Sequence, residues 1–228
     1  MLLAEDLLLL ITDDDTGKLV VSGTEADIAL GGAQLVQLAL AGRVDLTHEG
    51  EGRRKGRLVV RDATPTGDPL LDEALAVLVE RQGKRPADAV GKLGKRLRQR
   101  LYDRLVQQGI LRAEEGRVLG VFPKHTWPAA DAAHEREVRE LVDQVLVSGV
   151  TPQPRTAALV ALLHALRVVP QVVDPERHGL PRRQLERRAQ EVAEGDWGSA
   201  AVRSAIEAMR AAVFAAVTAG TVGGATSN

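Results

Sequence analysis

One helical segment restricts the fold of this chain more than any other. From Thr24 to Ala41 the sequence TEADIALGGAQLVQLALA places Ile28, Leu30, Leu35, Val36, Leu38, Ala39 and Leu40 on nearly every side of a helix. A helix that is apolar all round has to be enclosed by other elements. The rest of the chain must therefore supply its covering. Thr24 is the expected N-cap, with Glu25 and Asp27 at the positive end of the helix dipole, and Gly42-Arg43 is the expected stop. Gly31-Gly32 costs helix propensity, about 1 kcal/mol per glycine relative to alanine. The pair reads either as a close-packing point or as a break.

The covering elements are also mostly helical in pattern. Met1 to Ile11 is strongly apolar, Pro69 to Gln82 follows the turn ATPTGD, and Ala132 to Val147 carries Val138, Leu141, Val142, Val145 and Leu146 on one side before Gly149. Pro154 to Val169, Arg182 to Glu194 and an Ala-rich segment from Ser199 complete the set. Short β-like runs are expected at Lys18 to Val21, and as a pair at Val44 to His48 and Arg57 to Arg61. The expected class is mainly α, a single globular helical domain with a few short β-hairpins, one of them protruding. The domain is expected over residues 1–219, with a disordered tail over 220–228.

The stretch with the most chemical character runs from Lys92 to Pro123. Leu93, Leu97, Leu101 and Leu105 form one apolar stripe, and Lys92, Lys95, Arg96, Arg98, Arg100 and Arg104 cover most of the opposite side. Gly109 is a natural C′ residue. A β-hairpin is expected next, from Ile110 to Arg112 and from Arg117 to Phe122, turning through Glu114, Glu115 and Gly116. With a net charge of only −1, anion binding has to come from local clustering of this kind. The loop with Arg53, Arg54 and Lys55 is a second, weaker candidate, better read as a soluble turn.

Catalytic constellations are missing. There is no P-loop, no G-x-G-x-x-G after a strand, no G-x-S-x-G and no H-E-x-x-H. No cysteine is present, which excludes disulfides and thiolate chemistry. The five histidines (His48, His125, His134, His164 and His178) are scattered. His164 reads as a half-buried packing residue, and His125 beside Trp127 as packing next to the hairpin. The aspartates of TDDDTG, Thr12 to Gly17, lack the glycine and bidentate glutamate of a calcium loop and read as a solvated turn. The expectation is a protein that is not an enzyme and has no cofactor and no metal. No secretory signal or stretch of about 20 apolar residues is visible, so membrane contact would be peripheral. Arginine far outnumbers lysine, as expected of a GC-rich bacterial genome.

The segments LLAEDLLLL (Leu2 to Leu10), LVQLALAGRV (Leu35 to Val44), TPTGDPLLDEAL (Thr64 to Leu75) and RLVQQGIL (Arg104 to Leu111), in this order, resemble the Golgi phosphoprotein 3 family. The Ala-rich final helix fits too, so the resemblance covers Met1 to about Ala219. It implies a mostly helical domain that binds phosphatidylinositol 4-phosphate at a membrane face. Eukaryotic members tether glycosyltransferase tails to coatomer. Their basic N-terminal tail is not expected here, because this chain begins directly in the domain. By the RLVQQGIL anchor, the lipid-phosphate residues of the family fall on Lys95 and Arg98, three apart on an expected helix, with Lys92, Arg96 and Arg100 as supporting basic surface. A family tryptophan and arginine fall on Ser22 and Gly31 and are not retained. The family hairpin, for membrane contact or self-association, corresponds to about Leu111 to Pro123, with Val118, Leu119, Val121 and Phe122 as its apolar residues.

The reading favoured here is a peripheral membrane adaptor for anionic lipid headgroups. It would be cytoplasmic and reversibly bound at the inner face of the membrane, with client membrane proteins as further partners. Two alternatives use the same stretch. One is a winged-helix-like nucleic-acid binder, disfavoured by the near-neutral charge. The other is a protein interaction module that forms a homo-oligomer through its hairpin.

Overall fold

A computed structural model describes residues 1–13, 16–49, 54–118 and 122–223. Side chains at 115–118, 122–125, 216, 217 and 219–223 are outside the description. Ten helices and two two-stranded antiparallel sheets make up the described residues. The mainly α, single-domain expectation holds.

The helix apolar on all sides is α2 (Gly23–Leu40), and it sits at the centre. It packs against α1 (Leu3–Leu10), α3 (Pro69–Glu80), α4 (Ala87–Leu93), α5 (Leu97–Gln107), α7 (Pro154–Leu166) and α10 (Ala200–Gly223). Its N-cap is Ser22, not Thr24. The Ser22 Oγ accepts from the Glu25 N–H at 3.2 Å while Glu25 Oε2 accepts from the Ser22 N–H at 2.9 Å. This reciprocal S-x-x-E box satisfies two otherwise orphaned donors. The glycine pair is a packing point and not a break. A Cβ on Gly31 would lie 2.5 Å from the Gly94 nitrogen and inside contact with the Val90 carbonyl oxygen. A Cβ on Gly32 would meet the Met209 side chain of α10. Gly31 therefore has no room for a side chain.

Helix α1 is wholly buried, and its two acids are anchors. Glu5 Oε2 accepts from the Leu2 N–H at 2.6 Å, and its other oxygen lies 3.1 Å from Arg104. Arg104 also reaches Asp68, the N-cap of α3, at 2.6 Å. Asp6 is held by His134 at 2.9 Å and by Arg155 at 2.6 Å. A buried carboxylate needs such partners, and these tie α1 to α5, to α6 (Ala133–Leu146) and to α7.

The long basic helix expected from Lys92 is two helices. α4 ends at Leu93, α5 begins at Leu97, and Gly94 to Arg96 form a turn in which Arg96 takes φ 61°. The turn packs tightly on α2: a Cβ at Gly94 would overlap the Asp27 carbonyl group, with its carbon 2.7 Å away. Lys95 lies in this turn and Arg98 in α5, so the two do not share one helix face. The β1–β2 pair (Val44–Leu46 and Leu58–Val60) lies inside its expected runs. Lys18 to Val21 contributes only the bridge Thr12–Leu19.

The protruding hairpin is shifted. Its strands are β3 (Glu114–Val118) and β4 (Phe122–Thr126), paired from Glu114–Thr126 to Val118–Phe122. Glu114 to Gly116, expected as the turn, form the first strand, because Gly109 in the left-handed region and the bridge Leu111–Ala129 already set this register. The remaining helices are α8 (Val169–Val172) and α9 (Arg182–Glu194). Helix α10 continues through residues 220–223 of the expected tail, where no proline stops it; residues 224–228 are outside the description.

Candidate functional site

The α4–α5 turn, the start of α2 and the end of the hairpin enclose a cavity of about 390 Å³. Its walls carry Lys18, Arg96, Arg98 and Gln99, one acid, Asp27, and the ring pair Tyr102 and Trp127.

Each wall has a local cause. Gly17 is at φ 60°, and a Cβ there would come 2.7 Å from the Pro128 nitrogen, so glycine alone lets the turn after α1 lie against the segment after β4. The Trp127 N–H donates to the Gly17 carbonyl at 3.3 Å. The indole then stacks on Tyr102 with ring centroids 4.0 Å apart and planes 4° from parallel. The Tyr102 hydroxyl lies 3.2 Å from Thr12 Oγ1, which donates to the Leu8 carbonyl. Burial pushes the Tyr102 hydroxyl pKa up, against the opposing Thr12 hydrogen bond, so it stays protonated. Trp127 is the residue after β4, so the root of the hairpin forms one side of the cavity.

The electrostatics favour an anion. Helix α5 opens into the cavity with no side-chain cap and no acid in its first turn. The positive end of its dipole therefore adds to the charge of the cations around this space. Arg98 is held through Nε by Asp27 Oδ1 at 3.0 Å. Its guanidinium lies over Gly23, where a Cβ would come 2.8 Å from Nη1. Burial raises the Asp27 carboxyl above its ordinary pKa and outweighs the charge and hydrogen bond of Arg98. The pair is about one-third exposed, a setting in which such pairs hold weakly. Three cations face one acid that competes for one of them.

Of the expected site residues, Arg98 and Arg96 line the cavity, and Lys95 and Lys92 do not. Lys92, Lys95 and Arg96 have no ion-pair partner among the described residues. The Arg100 guanidinium is engaged by both oxygens of Glu73 on α3. Arg104 is likewise bound by Glu5 and Asp68. Ser22 is a helix cap and Gly31 a packing point, as described. Leu119 and Val121 lie outside the described residues, as does Arg53, and for Val118 and Phe122 only the backbone is described. Lys55 of the second basic loop pairs with Glu49 at 2.9 Å.

Sequence reading missed Lys18, Tyr102 and Trp127 as a group. The available signal was scarcity. One tyrosine and two tryptophans serve the whole chain, so a Tyr–Trp stack uses much of its aromatic surface.

The family model described as Golgi phosphoprotein 3 (GPP34) matches residues 3–209. The chain is also similar to vacuolar protein sorting-associated protein 74 of Eremothecium gossypii. The two are 30% identical over 205 residues, covering 75% of this chain and 61% of that protein. The chain thus spans less than two thirds of that relative's length.

Proposed function

Because this chain belongs to the Golgi phosphoprotein 3 family, we propose that it is a peripheral membrane adaptor whose Lys18–Arg96–Arg98 cleft takes an anionic lipid headgroup. The observation that carries this is the cleft itself. Cations from the turn after α1 and from the start of α5 meet at an uncapped helix end, beside an aromatic shelf at the root of the hairpin. The ligand chemistry that fits is a phosphate with an adjoining ring, and phosphatidylinositol 4-phosphate is the headgroup the family resemblance supplies. Each basic side chain near an anionic leaflet contributes about 1 kcal/mol. Three, less the competition from Asp27, give reversible attachment. No helix among the described residues is long and apolar enough to cross a membrane. Attachment at the inner face of a cytoplasmic membrane, with client membrane proteins as partners, completes this reading.

Flotation with vesicles of phosphatidylcholine alone, with phosphatidylglycerol added, or with phosphatidylinositol 4-phosphate added tests it. Binding that needs an anionic lipid and weakens with salt is expected. Equal recovery on all three vesicles refutes it.

A second reading rests on the hairpin. Neither β3 nor β4 pairs with a third strand among the described residues, and open edges of this kind invite pairing with a second copy. A mass by light scattering that rises with concentration, and falls when residues 114–126 are replaced by a short Gly-Ser linker, supports self-association. A nucleic-acid role has less support, since Arg100 and Arg104 of the would-be reading helix are committed to acids.

A further inference from the structure

A second concentration of positive charge lies at the end of α7. A cavity of about 440 Å³ opens where the end of α7 and the following Val169-Pro170 meet α9. Arg167, Arg182, Arg183 and Arg187 line it against a single carboxylate, Glu186. The walls thus hold an excess of three positive charges on a chain whose net charge is −1. None of these residues lines the cleft beside α5.

Two features distinguish the walls of this cavity. Arg167 caps α7 in the left-handed region at φ 62° and ψ 30°, where glycine is the residue without penalty. It is exposed and has no ion-pair partner among the described residues. The second is the start of α9. Its N-cap, Pro181, offers no side-chain cap, its first turn holds no acid, and Arg182 and Arg183 occupy its first two positions. Cations at the positive end of a helix oppose the dipole. The neutralising contacts are weak: Arg182 pairs with Glu186 at 2.9 Å and Arg187 with Glu191 at 3.5 Å, both on the exposed helix surface. Arg183 has no such partner among the described residues. A bound anion would pair the guanidinium groups of Arg167 and Arg183 and face the positive end of the α9 dipole.

We propose that the α7–α9 junction is a second anion site, shaped for a phosphate group with two or more negative charges, carried by a soluble phosphorylated molecule or by a lipid headgroup. Guanidinium groups from two walls suit a tetrahedral oxyanion better than a carboxylate, because their planar forks engage pairs of phosphate oxygens. His164 stands at the cavity wall as a local reporter. Burial lowers its pKa first, then the charge of Arg210 from α10, with Arg167 adding and Glu186 and Glu194 of α9 opposing. A phosphate beside Arg167 shifts that balance toward the protonated ring.

The test uses the full chain at low ionic strength with two probes. One is inorganic pyrophosphate, followed by calorimetry and by the His164 imidazole resonances. The other is vesicles containing phosphatidic acid, followed by flotation in an Arg98→Ala background. Arg167→Gly fits the left-handed backbone and should melt no lower than the parent, so its loss of binding is not a loss of fold. Arg167→Gly combined with Arg183→Ala is expected to weaken the responding probe by about tenfold or more. Both probes are read in the Arg98→Ala background, so that a response surviving there and lost on adding Arg167→Gly and Arg183→Ala belongs to this site and not to the first cleft. Response to pyrophosphate alone identifies a soluble ligand, and response to phosphatidic acid vesicles identifies a lipid; either supports the site. Unchanged affinity in the double variant overturns it, and so does silence of both probes with no movement of the His164 resonances.

Discussion

Replacing Gly31 with alanine should destabilise the protein, although the same change in an ordinary helix stabilises. In an unobstructed helix interior the substitution gains about 1 kcal/mol. At Gly31 the new methyl would lie 2.5 Å from the Gly94 nitrogen and 3.1 Å from the Gly94 Cα, and closer still to the Val90 carbonyl oxygen. All three atoms are backbone, so no side chain can rotate away. α4 must shift by about 1 Å, and overpacking of this kind costs about 1–3 kcal/mol, with rigid neighbours at the upper end. The net expectation is a loss of about 1–2 kcal/mol. Gly91 supplies the control. It lies in α4, is exposed, and a Cβ added there would have nothing within 4 Å, so Gly91→Ala should gain about 0.5–1 kcal/mol. Urea unfolding reads both as midpoint shifts at constant slope. A Gly31→Ala midpoint at or above wild type would refute the backbone-on-backbone account of the α2–α4 crossing. The same shift moves the Gly94–Arg96 turn, so anionic-vesicle binding should weaken in Gly31→Ala and not in Gly91→Ala.

Other consequences concern the site and its supports. Asp27→Asn frees Arg98 from its internal carboxylate and should strengthen flotation on phosphatidylglycerol vesicles; weaker flotation would show that Asp27 positions Arg98 rather than competing for it. Because burial holds the Asp27 carboxyl above its ordinary range, the folded state keeps that proton longer than the unfolded one. Its contribution to stability therefore declines as pH rises from the unfolded carboxyl value through the folded one, and Asp27→Asn should remove that decline in a pH series of urea midpoints. Asp68 behaves oppositely: burial pushes its pKa up, but Arg104 and the Leu70 and Leu71 N–H groups together hold it below the ordinary value. Its contribution is present above the unfolded carboxyl value and is lost as pH falls through the folded one. Asp68→Ala should cost about 1–2 kcal/mol as a lost N-cap and flatten the acid limb of the stability curve. Trp127→Ala should cost about 0.5–1.5 kcal/mol beyond the buried area for its stack on Tyr102, and should weaken vesicle binding without changing the vesicle preference.

What could be read from the sequence was what local chemistry encodes. The all-round apolar character of α2 announced a central helix, and Asp68-Pro69, Gly149 and the charged run from Arg182 to Glu194 marked helix ends that the structure keeps. The capping box Ser22–Glu25 was equally local, but Thr24 next to it offered a competing cap. The break between α4 and α5 was hidden for a different reason. The leucine spacing from Leu93 to Leu105 continues smoothly across it, while the close packing of Gly94 on the Asp27 carbonyl is a tertiary contact that no local pattern marks. The hairpin register followed from the Leu111–Ala129 bridge, a pairing no local pattern marks. Part of the expected basic surface was lost to tertiary partners, Glu73 for Arg100 and Asp68 with Glu5 for Arg104. The Tyr102–Trp127 shelf joins residues that are adjacent only once the hairpin folds back.

The most direct test of the headgroup cleft compares two charge losses on the same helix region. Arg96→Ala combined with Arg98→Ala removes cations that face the cavity, while Arg100→Ala removes one that Glu73 already holds. On phosphatidylglycerol vesicles at low salt, the double variant is expected to stay in the unbound fraction and Arg100→Ala to float like the wild type. Equal flotation of all three proteins would contradict a headgroup site in this cleft.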